Sequence, residues 1–387
     1  MNLNDYFDPV SLDRPQQKFL TEKSVFGRNI ITHTPDGPIR DLQHFNLALI
    51  GVPEERNSPN KGCSKAPDKI RSKLYELIKP NSRLKIIDLG NLKIGDAVND
   101  TYFGIRDIVT ELITRNVFPV FIGGTQDLTY GTFLAFRKHK KIVSLVTVDS
   151  KIDLTNDIKK FDSQSYLGKI IFKKGVAAVN YTNIGDQVCL VDQKDVDQLK
   201  KSFYDTYRLG VIRTNLKETE PVLRDANMIS IDIGSVKQAD APGQYNPSPN
   251  GFYADEICQI SRYAGLSDNL ASFGLYEVNP EFDRENQTVH LAAQMIWYFI
   301  DGFSRKTVEQ PNIKPEEFTQ YIIHLNEVKQ ELVFYKSEKT NRWWLRNPFL
   351  RKNTQYHTYI ACSYNDYMKA SNQEIPDRWW KAFQKFN

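Results

Sequence analysis

Cysteine is scarce in this chain of 387 residues: Cys63, Cys189, Cys258 and Cys362 are the only four, and none stands at CxxC spacing from another. That excludes a disulfide framework and a zinc site built on cysteine pairs, so the thiols read as free and buried. Histidine is nearly as sparse, with six in all. No apolar run approaches the roughly 18 residues of a membrane span. The start, MNLNDYFDPVSLDRPQQKFL, has neither a basic stretch leading into an apolar one nor a cleavage-like small-residue site, so a cytoplasmic location is expected. An excess of one charge is lacking too: 51 basic residues against 47 acidic ones leave a net of +4, which gives no electrostatic argument for a nucleic-acid partner. Internal repeats and low-complexity tracts are also missing.

What is there is the composition of an ordinary soluble protein, with 40% hydrophobic, 12% aromatic and 25% charged residues, which excludes disordered, collagenous and coiled-coil chains. The length exceeds the roughly 250–300 residues at which single cores stop growing, so a large domain with appendages is expected. From about residue 46, near-continuous apolar runs such as NLALIGVP, LKIIDLGNL, VFPVFIGG, IVSLVTVD and MISIDIG alternate with stretches of helical spacing. Runs of this kind are strands buried on both faces. Their alternation with helices predicts an α/β fold of three αβα layers around a mainly parallel sheet of about eight strands. Ligands of such folds bind beyond the carboxyl ends of the strands.

The pattern divides the chain into an N-terminal extension (1–42), an α/β domain (43–305) and a C-terminal extension (306–387). The last segment holds 15 aromatic residues and four of the five tryptophans, as the doublets Trp343-Trp344 and Trp379-Trp380. So much apolar surface has to dock. The weightier expectation is packing on the chain's own domain; the other is a protein-partner interface anchored by these four residues.

Three strand ends carry polar residues that turn chemistry does not explain: Gly123-Gly124-Thr125-Gln126-Asp127, Asp149-Ser150-Lys151-Ile152-Asp153, and Ser230-Ile231-Asp232-Ile233-Gly234. With the early GVPEERNSPNKGCSKAPDKIRSKL and the element Glu277-Val278-Asn279-Pro280, the chain resembles the ureohydrolase superfamily of arginase, agmatinase and formimidoylglutamase over about residues 43–305. The resemblance implies the motifs GGDHS, DAHxD and SxDxD, whose side chains hold two manganese ions sharing a hydroxide. It also implies that Glu277 corresponds to the residue holding the substrate guanidinium. The departures are pronounced. Gln126 stands for the histidine of the first motif, Lys151 for the central histidine of the second and Gly234 for the last aspartate of the third, so Asp149, Asp153 and Asp232 are what remains of six ligands.

A carboxamide is a weak neutral ligand, glycine offers no side chain, and an ammonium is a fixed positive charge where a dication should sit. Two dications need about four carboxylates, whereas three carboxylates and one ammonium suit one divalent ion at best. The leading expectation is therefore a catalytically inactive scaffold or protein-binding module that contains no metal. Two alternatives remain: a hydrolase of a formimidoyl or guanidino compound using a single manganese or other divalent ion, and a sensor that binds a cationic metabolite at Glu277. Strand alternation places Asp149, Lys151 and Asp153 on one face, which predicts a salt bridge from Lys151 to at least one of the three aspartates. The aromatic extension resembles a group of degenerate ureohydrolase-like chains from Bacteroidota. Their genes can lie near those for gliding and type IX secretion, and the resemblance implies a protein partner from that apparatus. The superfamily's habit of forming trimers or hexamers makes a homo-oligomer a further expectation.

Overall fold

Every residue of β3 (Leu47–Val52) is buried: Leu47 and Leu49 enter one hydrophobic core, while Ala48, Ile50 and Val52 enter another. A strand covered on both faces requires this division, and it repeats across the sheet. The computed structural model describes residues 2–11, 23–139, 142–155, 161–172, 178–326, 330–351 and 354–386. Two short strands, β1 (Phe7–Asp8) and β2 (Ile31–Thr32), precede β3 and pair with β4 (Ile86–Leu92), β1 antiparallel and β2 parallel. The expected N-terminal extension is thus woven into one sheet edge. The remaining strands are β5 (Phe118–Gly123), β6 (Ile142–Val148), β7 (Ala178–Asp186), β8 (Asp205–Arg208), β9 (Met228–Asp232) and β10 (Ser272–Tyr276). They run in the order β1-β4-β3-β5-β10-β9-β6-β7-β8. From β3 to β10 every pairing is parallel, so the eight expected strands form the sheet and the two short ones extend it.

One core is closed by helices α1 (Ala66–Glu76), α5 (Ala254–Gly265) and α6 (Gln287–Ser304), and the other by α2 (Val98–Thr114) and α3 (Thr129–His139). Helix α4 (Thr219–Arg224) leads into β9. Among the described residues, no helix is long and apolar enough to cross a membrane.

The segment after residue 306 folds into a second sheet, the antiparallel meander β11 (Phe318–Leu325), β12 (Gln330–Ser337), β13 (Trp343–Arg351) and β14 (Thr354–Cys362). Two helices follow, α7 (Tyr364–Ser371) and α8 (Asp377–Phe386). They cover one sheet face, where Leu332, Phe334, Trp343 and Leu345 meet Ala370 and Trp379. Trp343, Trp344 and Trp379 are only 6%, 4% and 3% exposed, against 45% for Trp380. Of the four expected anchors, Trp380 alone faces outward.

A buried arginine joins the two units. Arg224, at the end of α4, donates through Nη2 to the carbonyls of Trp343 (3.0 Å) and Cys362 (3.2 Å), and its guanidinium lies 4.3 Å from the centre of the Trp344 ring. Beside it, Asp225 accepts a hydrogen bond from the Ala361 amide. Arg378 pairs with both Glu218 and Asp366, and Lys381 with Asp205. Arg224→Ala strands two carbonyls in this seam and should cost roughly 3–5 kcal/mol. It is checked by a lowered Tm together with new proteolytic cleavage between residues 305 and 318; an unchanged Tm and digestion pattern would show that Arg224 does not hold the seam.

Candidate metal and ligand pocket

The carboxyl ends of β5, β6, β9 and β10 converge, and the residues just beyond them surround a pocket of about 70 Å³ lined by Asn60, Asp149, Lys151, Asp153, Asp232 and Glu277, among others. Gly123 and Gly124 permit the convergence: a Cβ at Gly124 would stand 1.9 Å from the Glu54 carbonyl oxygen, and one at Gly123 would stand 2.1 Å from the Tyr276 ring. Only glycine allows this approach.

Asp149, Asp153 and Asp232 each offer a carboxylate oxygen within 4.8 Å of the others. Asp149 and Asp153 are buried, and Asp232 is half-buried. Burial pushes the Asp149 carboxyl up to about 6. Burial, reinforced by the neighbouring carboxylates, holds Asp153 and Asp232 well above the ordinary carboxylate range. Backbone donors partly offset this crowding: the Lys151 N–H donates to Asp149 Oδ1 (2.9 Å) and the Gly234 N–H to Asp232 Oδ1 (2.6 Å).

Gln126 is fully buried at the start of a short turn after β5. Its side-chain amide has one terminal atom 3.1 Å from Asp149 Oδ2 and 3.1 Å from Asp153 Oδ2, and the other 3.3 Å from Ser230 Oγ. With the nitrogen facing the carboxylates, the amide donates to both. With the oxygen facing them, three oxygens converge.

Glu277 follows β10 in the left-handed region, at φ 65°, a strained conformation for a side chain of this size and one that recurs at functional sites. Its Oε2 accepts from Asn60 Nδ2 and its Oε1 from the Gln126 backbone N–H, both at 2.8 Å. Burial pushes the carboxyl up to about 7 despite these bonds. Asn60 is itself fixed, its Oδ1 accepting from Asn279 Nδ2 at 2.7 Å. The sequence signal for Asn60 was only its place in the loop after the first long strand, and Ser230 lay unremarked inside the third motif.

The expected Lys151 salt bridge does not form: among the described residues, no ion pair links Lys151 to Asp149, Asp153 or Asp232. The reason is local. Strand β6 ends at Val148, and the hydrogen bond from the Lys151 N–H to Asp149 Oδ1 closes an Asx-type turn, so strand alternation no longer governs these side chains. Lys151 lines the pocket half-buried and opposes the carboxyl shifts as a lesser influence.

A parallel αβα sheet with a cluster of acidic side chains at its strand ends defines an α/β protein with a candidate ligand or metal pocket. The model of the arginase family matches residues 45–301, and the chain belongs to that family. It is 24% identical over 262 residues to a formimidoylglutamase of Rhodococcus jostii, covering 62% of this chain and 80% of that one. To an arginase of Brevibacillus brevis it is 23% identical over 287 residues, covering 65% and 96%. Among solved structures, a Trypanosoma cruzi formiminoglutamase determined with Mn2+ superposes with a TM-score of 0.65 at 19% identity, covering 70% of this chain and 97% of that one. The Bacillus subtilis formimidoylglutamase gives 0.63 at 20% identity, covering 76% and 100%.

Two substitutions separate structural from peripheral groups in the pocket. Asn60→Ala leaves the half-buried Glu277 carboxylate short of a donor and should destabilise the protein by about 1–3 kcal/mol. Lys151→Met removes a half-exposed charge without a short-range partner and should change stability by less than about 1 kcal/mol. Chemical denaturation of both variants checks this; the opposite ranking would mean that Lys151 is the counterion of the triad after all.

Proposed function

We propose that the protein hydrolyses the C–N bond of a small formimidoyl or guanidino compound in this pocket, aided by a single divalent ion. The carrying observation is the approach of the Asp149, Asp153 and Asp232 oxygens to within 4.8 Å of one another. Carboxylates this close in a desolvated pocket repel one another, which a cation among them relieves, and three carboxylates with a nearby ammonium have a net charge that suits one dication. Asp149, Asp153 and Asp232 would hold the ion, which would supply the Lewis acidity that lowers the pKa of water toward neutrality. A pair of ions does not fit: Gly234 contributes no side chain and Lys151 brings positive charge to the same pocket.

The chain's own residues supply the rest. Glu277 accepts one hydrogen bond on each oxygen, which fixes its carboxylate plane and leaves a lone pair on each for an amidinium or guanidinium, groups whose parallel N–H bonds match a carboxylate. The buried Gln126 turn holds that carboxylate through its backbone N–H and Asp149 and Asp153 through its side-chain amide. The balance has therefore moved from the metal-free scaffold expected from the sequence toward the single-ion hydrolase that was its alternative. A second reading, a pocket that binds the cation and the amidine without turnover, is favoured by the Lys151 and Gly234 departures.

Assays of formamide or urea release from formimidoylglutamate, agmatine and arginine, run with and without added Mn2+, decide between the two. The expected result is metal-dependent release from one of them, with Glu277→Gln weakening binding of that compound by about 10- to 100-fold, the loss of one charge-assisted bond. Binding of ion and compound with no product would select the second reading, and binding of neither would sink both.

A further inference from the structure

The two acids nearest the departures from the family pattern each have one carboxylate oxygen committed to the backbone. Asp149 Oδ1 accepts from the Lys151 N–H, and Asp232 Oδ1 accepts from the Gly234 N–H. The other oxygen of Asp149, Oδ2, and Asp153 Oδ2 both stand 3.1 Å from the same terminal atom of the Gln126 amide. Free acceptor capacity is therefore gathered on one side of the cluster, toward Gln126, and reduced on the side of residues 151 and 234.

Gln126 marks what that side can hold. It is a fully buried neutral amide, with one terminal atom 3.1 Å from a carboxylate oxygen of each of two acids. Around a divalent cation with metal–oxygen distances of about 2.0–2.2 Å, neighbouring ligand oxygens stand about 3 Å apart. This spacing serves two states of one side chain. The nitrogen facing inward bridges the two carboxylates when no cation is present, and a half-turn of the amide brings its oxygen to the same point as a ligand.

We propose that the pocket takes one divalent cation through oxygen atoms alone, with the Gln126 carbonyl completing a set formed by Asp149, Asp153 and Asp232, and that Lys151 and Gly234 have abolished the place of a second ion. This rests on the reading that the pocket carries a cation at all, and it adds the cation's number and chemical class. A donor set of carboxylates and a carboxamide, without imidazole or thiolate, suits the hard ions Mg2+, Mn2+ and Ca2+ and gives up the added hold that nitrogen ligands have on Ni2+ and Zn2+. The inserted amide also explains how the apo protein tolerates the crowded acids: it supplies two hydrogen bonds where a cation would otherwise be needed.

The test uses the full chain and Mn2+ itself, read by electron paramagnetic resonance and by the nitrogen hyperfine coupling of directly bound ligands. The wild-type protein should bind a single equivalent with the signal of a magnetically isolated ion and no coupling to a directly bound nitrogen. Gln126→His should introduce that coupling and shift relative affinity toward Ni2+ over Mg2+ by about tenfold or more. Lys151→His combined with Gly234→Asp should raise the stoichiometry to two ions with exchange-coupled spins. A directly bound nitrogen or a coupled ion pair in the wild-type protein overturns the inference, as does a folded Gln126→His variant with no nitrogen coupling. Wild-type protein that binds no ion at all overturns the single-ion reading beneath it, so the two failures are told apart by the first titration.

Discussion

Mutual repulsion among Asp149, Asp153 and Asp232 is the constraint around which the domain is arranged. Their oxygens lie within 4.8 Å of one another, and burial makes ionisation costly for each. Around them the chain places donors: the Lys151 and Gly234 backbone N–H groups and the Gln126 side chain. Glu277, the fourth acid of the pocket, receives its own pair of donors from Asn60 and the Gln126 backbone. Unpaired acids in such a place would be among the most destabilising features of the fold; partly satisfied, they form the pocket that we propose takes a cation.

The sheet makes the crowding possible, because parallel strands end side by side and bring loops distant in sequence to one edge. The second sheet takes no part in this. Contacts of the C-terminal unit include those of β13 and β14 with Arg224 and Asp225, ahead of β9, and that of α8 with Asp205 at the first residue of β8. These mark the amino ends of the strands, the end opposite the pocket. Among the described residues, none of the C-terminal unit lines the pocket.

Much of this was legible in the sequence because burial on both faces leaves so plain a pattern. NLALIGVP, VFPVFIGG, IVSLVTVD and MISIDIG became β3, β5, β6 and β9, and the polar residues at their ends did converge. Side-chain direction beyond a strand end was not legible. Lys151 stands two residues from Asp149, and alternation would pair them with a common neighbour, but the Asx-type turn at Asp149 breaks the alternation. The role of Gln126 was equally hidden, since its reading as a weak substitute ligand took no account of the hydrogen bonds a primary amide offers to two carboxylates. Aromatic content signalled that the tail docks, but not its meander, because its strands are mixed in polarity and their pairing is decided by partners distant along the chain.

The central claim is that one cation, and not two, completes the pocket. Anomalous diffraction from crystals grown with excess Mn2+ tests it most directly. The account predicts a single peak per chain, surrounded by Asp149, Asp153, Asp232 and the Gln126 side-chain oxygen. Two adjacent peaks, one of them beside Lys151 and Gly234, or an empty pocket with the Gln126 nitrogen still bridging the carboxylates at saturating Mn2+, would contradict it.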